Sequence, residues 1–127
     1  MKKILLIEDD EFYTKTYKYG FEKAGYEMLT AENGDEGLKL LQSEKPDLVL
    51  LDLIMPVKDG FDFLKEIRAN EALKDTPVIV LTVLAQEEDR EACKKCGIDL
   101  YLVKTEHSLA EIIKKTEGVM KKRGILK

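Results

Sequence analysis

The sequence predicts an α/β fold, a doubly wound parallel sheet of five strands with five helices. Two observations predict it. Five short apolar runs alternate with five stretches of helical spacing along the 127 residues, and alternation of this kind is typical of a parallel sheet. Four of the apolar runs also stop at a polar residue, which is expected where the carboxyl ends of parallel strands line a crevice.

The first strand is predicted over Ile4–Ile7, and the stretch Asp10–Ala24 after it has the spacing of a helix. The helix positions expected to face the core are Phe12, Tyr17, Phe21 and Ala24. Gly25 then marks the end of this helix, because glycine readily adopts the conformations that terminate helices.

The second strand, Tyr26–Thr30, has a weaker pattern. The second helix is predicted to begin after Asn33, whose side chain would cap it while Glu36 returns a hydrogen bond to the cap. Pro46 is expected to end that element. Its apolar positions are Leu38, Leu40 and Leu41.

The second half of the chain continues the alternation. The predicted elements are a strand Leu48–Leu51, a helix Phe61–Arg68, a strand Val78–Leu81, a helix Gln86–Cys96, a strand Leu100–Val103 and a helix from Ser108 to about Lys121. Ser108 and Glu111 have the spacing of a capping box. Gly60, in the loop before the third helix, is expected to supply a positive φ angle. The flavodoxin-like strand order 2-1-3-4-5 is the expected topology, with the first and third strands adjacent.

Composition limits the possible classes of function. The length indicates one domain, over residues 1–121, followed by a short basic tail, residues 122–127, expected to be solvated. With 44% apolar and 36% charged residues and no apolar run long enough to cross a bilayer, the sequence predicts a soluble cytoplasmic protein with no membrane contact. The net charge of −4 argues against nucleic-acid binding.

Two cysteines, Cys93 and Cys96, form a C-x-x-C pair. A redox pair is usually found at a helix N-terminus, whereas these residues end a predicted helix just before Gly97. A zinc site would need further ligands, and His107 is the only histidine. Two ordinary reduced thiols, partly buried, are therefore expected.

Polar residues that follow four of the predicted strands are the candidate site. They are Glu8 and Asp9 after the first strand, Asp52 after the third, Thr82 after the fourth and Lys104 after the fifth. Three clustered carboxylates repel one another unless a cation joins them, and an oxygen-rich set of this kind suits Mg²⁺. Phosphoryl transfer needs a metal, a lysine, a hydroxyl and an in-line nucleophile, and Asp52 on the central strand is the best nucleophile.

These residues resemble a known family. The pattern Glu8-Asp9, Asp52-x-x-Met55-Pro56-x-x-Asp59-Gly60, Thr82 and Tyr101-x-x-Lys104 is similar to the receiver domain of bacterial two-component response regulators, and the likeness covers residues 2 to about 121. The resemblance implies that a histidine kinase or histidine phosphotransfer protein phosphorylates Asp52. The protein would then be a signalling switch that catalyses its own phosphorylation and dephosphorylation, and not a metabolic enzyme.

The resemblance also implies a role for each site residue. Mg²⁺ would be held by Glu8, Asp9, Asp52 and the backbone carbonyl of Ile54, with Glu8 acting directly or through water. Thr82 and Lys104 would contact the phosphoryl oxygens, and Tyr101 would swing as Thr82 moves. Output is expected through contact with a downstream protein at the fourth helix, fifth strand and fifth helix, with the chain a monomer or weak dimer. Charged residues expected on that surface are Glu87, Glu88, Lys94, Lys95, Lys114 and Lys115.

Three departures from the family pattern carry expectations of their own. Thr105 stands where the family usually has a proline with a cis bond, and a cis bond before another residue costs roughly 3 kcal/mol, which leaves the placement of Lys104 open. Val83 adds bulk after Thr82 and is expected to slow or restrict phosphoryl donors. Ile54 and Leu84 cannot hydrogen-bond a hydrolytic water, which predicts a long-lived phosphoryl group.

Two other functions remain as alternatives. A Mg²⁺-dependent hydrolase with an aspartate nucleophile would need a second acid two residues after Asp52, where this chain has Ile54. A receiver-like module that binds partners without being phosphorylated is the stronger alternative, because Val83 and Thr105 depart from the pattern.

Overall fold

The five strands form one parallel sheet in the order β2-β1-β3-β4-β5, which confirms the predicted topology. The computed structural model describes all 127 residues. The strands are β1 Lys3–Ile7, β2 Glu27–Ala31, β3 Leu48–Leu51, β4 Val78–Thr82 and β5 Leu100–Val103. The helices are α1 Glu11–Lys23, α2 Gly34–Glu44, α3 Gly60–Arg68, α4 Glu87–Cys96 and α5 Leu109–Lys122. Each predicted element is present, and its bounds agree with the prediction or differ from it by one residue.

Helices cover both faces of the sheet, and two apolar clusters fill the space beneath them. Alternate residues of β1 show the division, because Leu5 and Ile7 pack with α2, α3 and α4, whereas Ile4 and Leu6 pack with α1 and α5. Every residue of β3 is buried, as expected of a central strand. None of the helices has the length and apolar character needed to cross a membrane.

The predicted inward face of α1 is wrong at two positions. Tyr17 and Phe21 are buried, but Phe12 is 72% exposed and Ala24 is also exposed. A step of five residues, as from Phe12 to Tyr17, turns a helix by about 140° beyond one full turn, so the two side chains point in different directions. Tyr13 occupies the inward position instead and packs against the cluster under α1.

The residues that cap the N-termini of the helices largely agree with the predictions. Asn33 accepts a hydrogen bond from the Glu36 amide, although Glu36 returns none. The full capping box forms at Ser108 and Glu111. Gly25, two residues after the end of α1, has a φ angle of +100° and turns the chain out of the helix.

The predicted positive φ at Gly60 is wrong. Gly60 is the first residue of α3, and the positive φ in the loop before it belongs to Val57, at +68°. Gly60 is required by close approach, since an added Cβ would lie 2.3 Å from the Asp52 carbonyl oxygen and 2.7 Å from Leu53 Cα.

The end of the chain is solvated only in part. Gly124, at φ +78°, turns the chain back after α5, and the amides of Ile125 and Leu126 both donate to the Met120 carbonyl. The side chains of Ile125 and Leu126 are half-buried against the cluster under α1 and α5. The basic residues Lys121, Lys122, Arg123 and Lys127 remain exposed.

Both cysteines are free thiols. Cys93 is buried inside the cluster on the α4 side, and Cys96 is partly exposed at the end of α4. Burial raises the pKa of the Cys93 thiol to about 11, with negative groups nearby acting in the same direction.

Candidate functional site

The carboxyl ends of β1 and β3 bring two acids side by side. Ile7 is the register partner of Leu51, and the Asp52 amide continues the ladder by donating to the Ile7 carbonyl at 3.0 Å. Glu8 and Asp52 are therefore the next residues on adjacent strands. Their placement follows directly from the strand order.

Glu8, Asp9 and Asp52 form an acid cluster in which carboxylate oxygens lie within 4.8 Å of one another. Glu8 is 2% exposed and Asp52 is 5% exposed, whereas Asp9 faces solvent. Burial raises the pKa of Glu8 to about 7, and the charge of Asp52 adds to this, against the opposing hydrogen bond from Lys104. The Asp10 amide fixes the Glu8 carboxylate by donating to its Oε2 at 3.0 Å.

Lys104 brings a positive charge to this cluster. It follows β5 and begins a short 3-10 helix, Lys104–Glu106. Its ammonium donates to Glu8 Oε1 and to Asp52 Oδ2, the latter at 3.4 Å. Lys104 therefore reaches the acids even though the residue after it is Thr105 and not a proline. Its side chain is only 2% exposed, and its nitrogen lies 4.2 Å from the centroid of the Tyr13 ring.

The loop after β3 holds the Asp52 carboxylate from the other side. Asp52 Oδ1 accepts hydrogen bonds from the amides of Leu53 at 2.8 Å and Ile54 at 3.4 Å. No hydrogen bond within the chain reaches the carbonyl oxygen of Ile54, so that oxygen is free to bind a ligand. The side chain of Ile54 is 51% exposed.

Lys58 anchors the far end of this loop. Its carbonyl accepts from the Gly34 amide at 2.9 Å, and its ammonium pairs with Asp35 at 3.3 Å and with Glu66. Between these anchors and Asp52, the Lys58 amide donates to the Pro56 carbonyl and closes a γ-turn around Val57. A positive φ is strained for a β-branched residue such as Val57, so the anchors hold the loop against that strain.

Thr82 and Tyr101 are joined through one loop residue. Thr82 is the last residue of β4, and its buried hydroxyl accepts from the Leu84 amide at 3.4 Å, making no hydrogen bond to the acids. The Tyr101 hydroxyl donates to the Leu84 carbonyl at 2.9 Å. The Tyr101 ring is buried beneath the Arg90 guanidinium, 4.7 Å from its centroid, and burial raises the pKa of Tyr101 to about 12.

The donor set suits a divalent cation. Three carboxylates offer hard oxygen ligands, and with Lys104 and one Mg²⁺ the formal charge of the site is zero. Asp9 faces solvent, so this side of the acid cluster is open to water. The arrangement therefore brings together a carboxylate, a lysine and a set of oxygens that could hold a metal ion, which are the kinds of group that phosphoryl transfer uses.

The residues predicted on the surface of α4 and α5 are all exposed. They are Glu87, Glu88, Lys94, Lys95, Lys114 and Lys115. Val83 is also exposed, beside the buried Thr82.

Sequence reasoning missed two side chains at the site, Tyr13 and Arg90. The signal for Tyr13 was available, because Tyr13 is four residues before the buried Tyr17 and so shares its helix face. Arg90 carried no signal, since an arginine within a charged helix is expected to be solvated.

Comparison with known proteins agrees with this geometry. The family model for the response regulator receiver domain matches residues 4–117. The alkaline phosphatase synthesis transcriptional regulatory protein PhoP of Bacillus subtilis is 36% identical over 103 residues, which cover 81% of this chain and 42% of PhoP. The chain spans about half or less of the length of such curated relatives.

Two solved structures have the same fold. The chemotaxis protein CheY4 of Vibrio cholerae has a TM-score of 0.86 and 31% identity, over 94% of this chain and 98% of that one. The Mn²⁺-bound form of response regulator Rcp1 has a TM-score of 0.79 and 32% identity, over 94% of this chain and 92% of that one. The likeness therefore extends over nearly the whole of both structures.

Proposed function

Because the chain belongs to the response regulator receiver domain family, we propose that it is a phospho-accepting switch whose acceptor is Asp52. One observation carries this proposal. The Asp52 carboxylate lies at the end of the central strand, in contact with Lys104 and within 4.8 Å of two further acids. The proposed domain is residues 1–121, and a cytoplasmic location stays a prediction.

In the proposed reaction a carboxylate oxygen of Asp52 attacks phosphorus. The new O–P bond forms as the bond from phosphorus to the donor breaks, and the donor leaves with the electron pair. The donor is the phosphohistidine of a histidine kinase or phosphotransfer protein. Lys104 neutralises charge on one phosphoryl oxygen, and the hydroxyl of Thr82 donates to another after turning away from Leu84.

The proposed metal site consists of Glu8, Asp9, Asp52 and the carbonyl of Ile54. Its support is the set of clustered oxygens, together with the Mn²⁺-bound form of the similar protein Rcp1. A bound Mg²⁺ supplies positive charge that offsets the developing charge on the phosphoryl oxygens.

Signalling is proposed to reach the surface through Leu84. When the Thr82 hydroxyl turns to a phosphoryl oxygen, the Leu84 amide loses its partner, and the Leu84 carbonyl that holds Tyr101 moves with it. The change then reaches Tyr101 and Arg90 on the face formed by α4, β5 and α5. A downstream protein that contacts this face reads the state, and the chain acts as a monomer or weak dimer.

Intact-mass spectrometry after incubation with acetyl phosphate and Mg²⁺ tests the function. The wild type should gain the mass of one phosphoryl group, and neither Asp52→Asn nor the EDTA-treated protein should gain it. Asp10→Asn is a matched control, because asparagine also caps helices and the Asp10 side chain caps α1 without touching the acids. No gain with any donor would favour the alternative, a binding module in which Val83 blocks the phosphoryl group.

A further inference from the structure

The ammonium of Lys104 has an aromatic neighbour in addition to its two acids. Its nitrogen lies 4.2 Å from the centroid of the Tyr13 ring. A cation over an aromatic face is attracted by the ring quadrupole, and the attraction is stronger where water is excluded. Lys104 meets this condition, because its side chain is almost fully buried.

The Tyr13 ring is itself held in place. It stacks on the ring of Tyr17 with centroids 5.6 Å apart and planes at 21°, and it forms a T-shaped pair with the ring of Phe12, with centroids 5.7 Å apart. Tyr17 is buried in the core, and the Tyr13 amide is fixed by the carboxylate of the N-cap residue Asp10. Both the backbone and the ring of Tyr13 are therefore anchored before Lys104 is considered.

The Tyr13 hydroxyl has no part in these contacts, because it makes no hydrogen bond within the chain. What Tyr13 contributes is the face of its ring. Phenylalanine would offer the same face, whereas leucine would fill similar space without a quadrupole.

Lys104 needs such a neighbour because its side chain is long and flexible. Its ammonium can donate to Glu8 or to Asp52, and both acids are within reach. A ring with its centroid only 4.2 Å from the nitrogen restricts the positions open to the ammonium, which then remains beside the two carboxylates.

We propose that Tyr13 is a positioning residue for phosphoryl transfer, and that its ring face holds the Lys104 ammonium beside the Asp52 carboxylate. The inference rests on the proposed function in one respect, namely that Lys104 contacts a phosphoryl oxygen. The placement of Lys104 by Tyr13 can be measured separately.

The test compares Tyr13→Leu with Tyr13→Phe and with Tyr19→Leu. Tyr19 is a matched control on the same helix, since its exposed ring lies 5.6 Å from the ammonium of Lys23, away from the site. The first readout is the rate at which an amine-acetylating reagent modifies Lys104, measured by peptide mass spectrometry relative to Lys58. The second readout is the rate of phosphorylation by acetyl phosphate at saturating Mg²⁺.

Tyr13→Leu should speed the relative modification of Lys104 and slow phosphorylation, each by about threefold to thirtyfold, the equivalent of a partly to fully desolvated cation–π contact. Tyr13→Phe and Tyr19→Leu should stay within about twofold of wild type in both readouts, because neither removes the ring face over Lys104. A merely structural role for Tyr13 would raise modification of Lys58 as well, and the ratio removes that effect.

Where the wild type accepts a phosphoryl group, the inference is overturned if Tyr13→Leu behaves like Tyr13→Phe, or if only one of the two readouts changes. If the wild type accepts no phosphoryl group, the proposed function has failed. In that case the modification of Lys104 alone decides whether Tyr13 places it.

Discussion

Replacing Gly60 with alanine tests how closely α3 approaches the proposed phosphorylation loop. The backbone of Gly60 has no positive φ, so helix propensity alone would favour alanine by roughly 0.5–1 kcal/mol. The added Cβ would lie 2.3 Å from the Asp52 carbonyl oxygen and 2.7 Å from Leu53 Cα. These are backbone atoms that cannot rotate away, so the loop or the helix must move.

The magnitude follows from these opposing effects. Overpacking typically costs about 1–3 kcal/mol, and a clash with backbone belongs at the upper end of that range or beyond it. After subtraction of the helix gain, we expect Gly60→Ala to lower the free energy of unfolding by about 2 kcal/mol. Gly118→Ala is the matched control, because Gly118 lies inside α5 with nothing within 4 Å of its added Cβ. It should raise the free energy of unfolding by about 0.5–1 kcal/mol.

Urea unfolding followed by far-ultraviolet circular dichroism measures both changes. With an m-value of about 2 kcal/mol/M, the midpoint of Gly60→Ala should fall by about 1 M urea. Phosphorylation by acetyl phosphate should also slow, because the displaced atoms belong to Asp52 and Leu53. A Gly60→Ala protein as stable as wild type, beside a stabilised Gly118→Ala, would refute the reasoning from close approach.

Three further predictions concern the loop and the thiols. Ile54→Asn should shorten the lifetime of the phosphorylated protein, measured by intact mass over time, because the asparagine amide can hydrogen-bond an attacking water. Ile54 is exposed enough to be replaced at little cost in stability. An unchanged lifetime would contradict this prediction. Val57→Gly should raise the free energy of unfolding by about 1 kcal/mol in urea titrations by relieving a positive φ, and a loss of stability would count against strain there. At pH 8 iodoacetamide should label Cys96 at least about tenfold faster than Cys93, since thiolate is the reactive form and burial raises the pKa of Cys93 to about 11. Labelling of Cys93 should rise with pH up to about 11, and equal rates at pH 8 would oppose the prediction.

The fold could be predicted from the sequence because its signals are local and repeated. Buried strands such as Leu48–Leu51 are continuous apolar runs, and caps such as Ser108 lie next to the helices they begin. The strand order then followed from general rules of α/β topology. The meeting of Glu8, Asp52 and Lys104 at the carboxyl ends of the strands was predictable for the same reason.

Features that depend on side-chain direction or close contact were harder to predict. Phe12 and Tyr13 are adjacent and both aromatic, so only the phase of α1 against the sheet decides which is inward. The sequence shows that residue 60 is a glycine, but it does not show whether a positive φ angle or a close contact requires glycine there. The connection of Thr82 to Tyr101 runs through the backbone of Leu84, which no side-chain pattern reports.

The strand order also has a consequence for synthesis of the chain. Lys104 is 52 residues after Asp52 and is carried to the acids by β5, which pairs only with β4. At 5–20 residues per second, a ribosome needs roughly 3 to 10 s to add that stretch. During this interval a nascent chain already contains Asp52 but lacks the lysine that balances its acids. Truncated or unfinished chains therefore have the Asp52 carboxylate without its counter-charge, and under the proposed function we expect them to accept a phosphoryl group poorly.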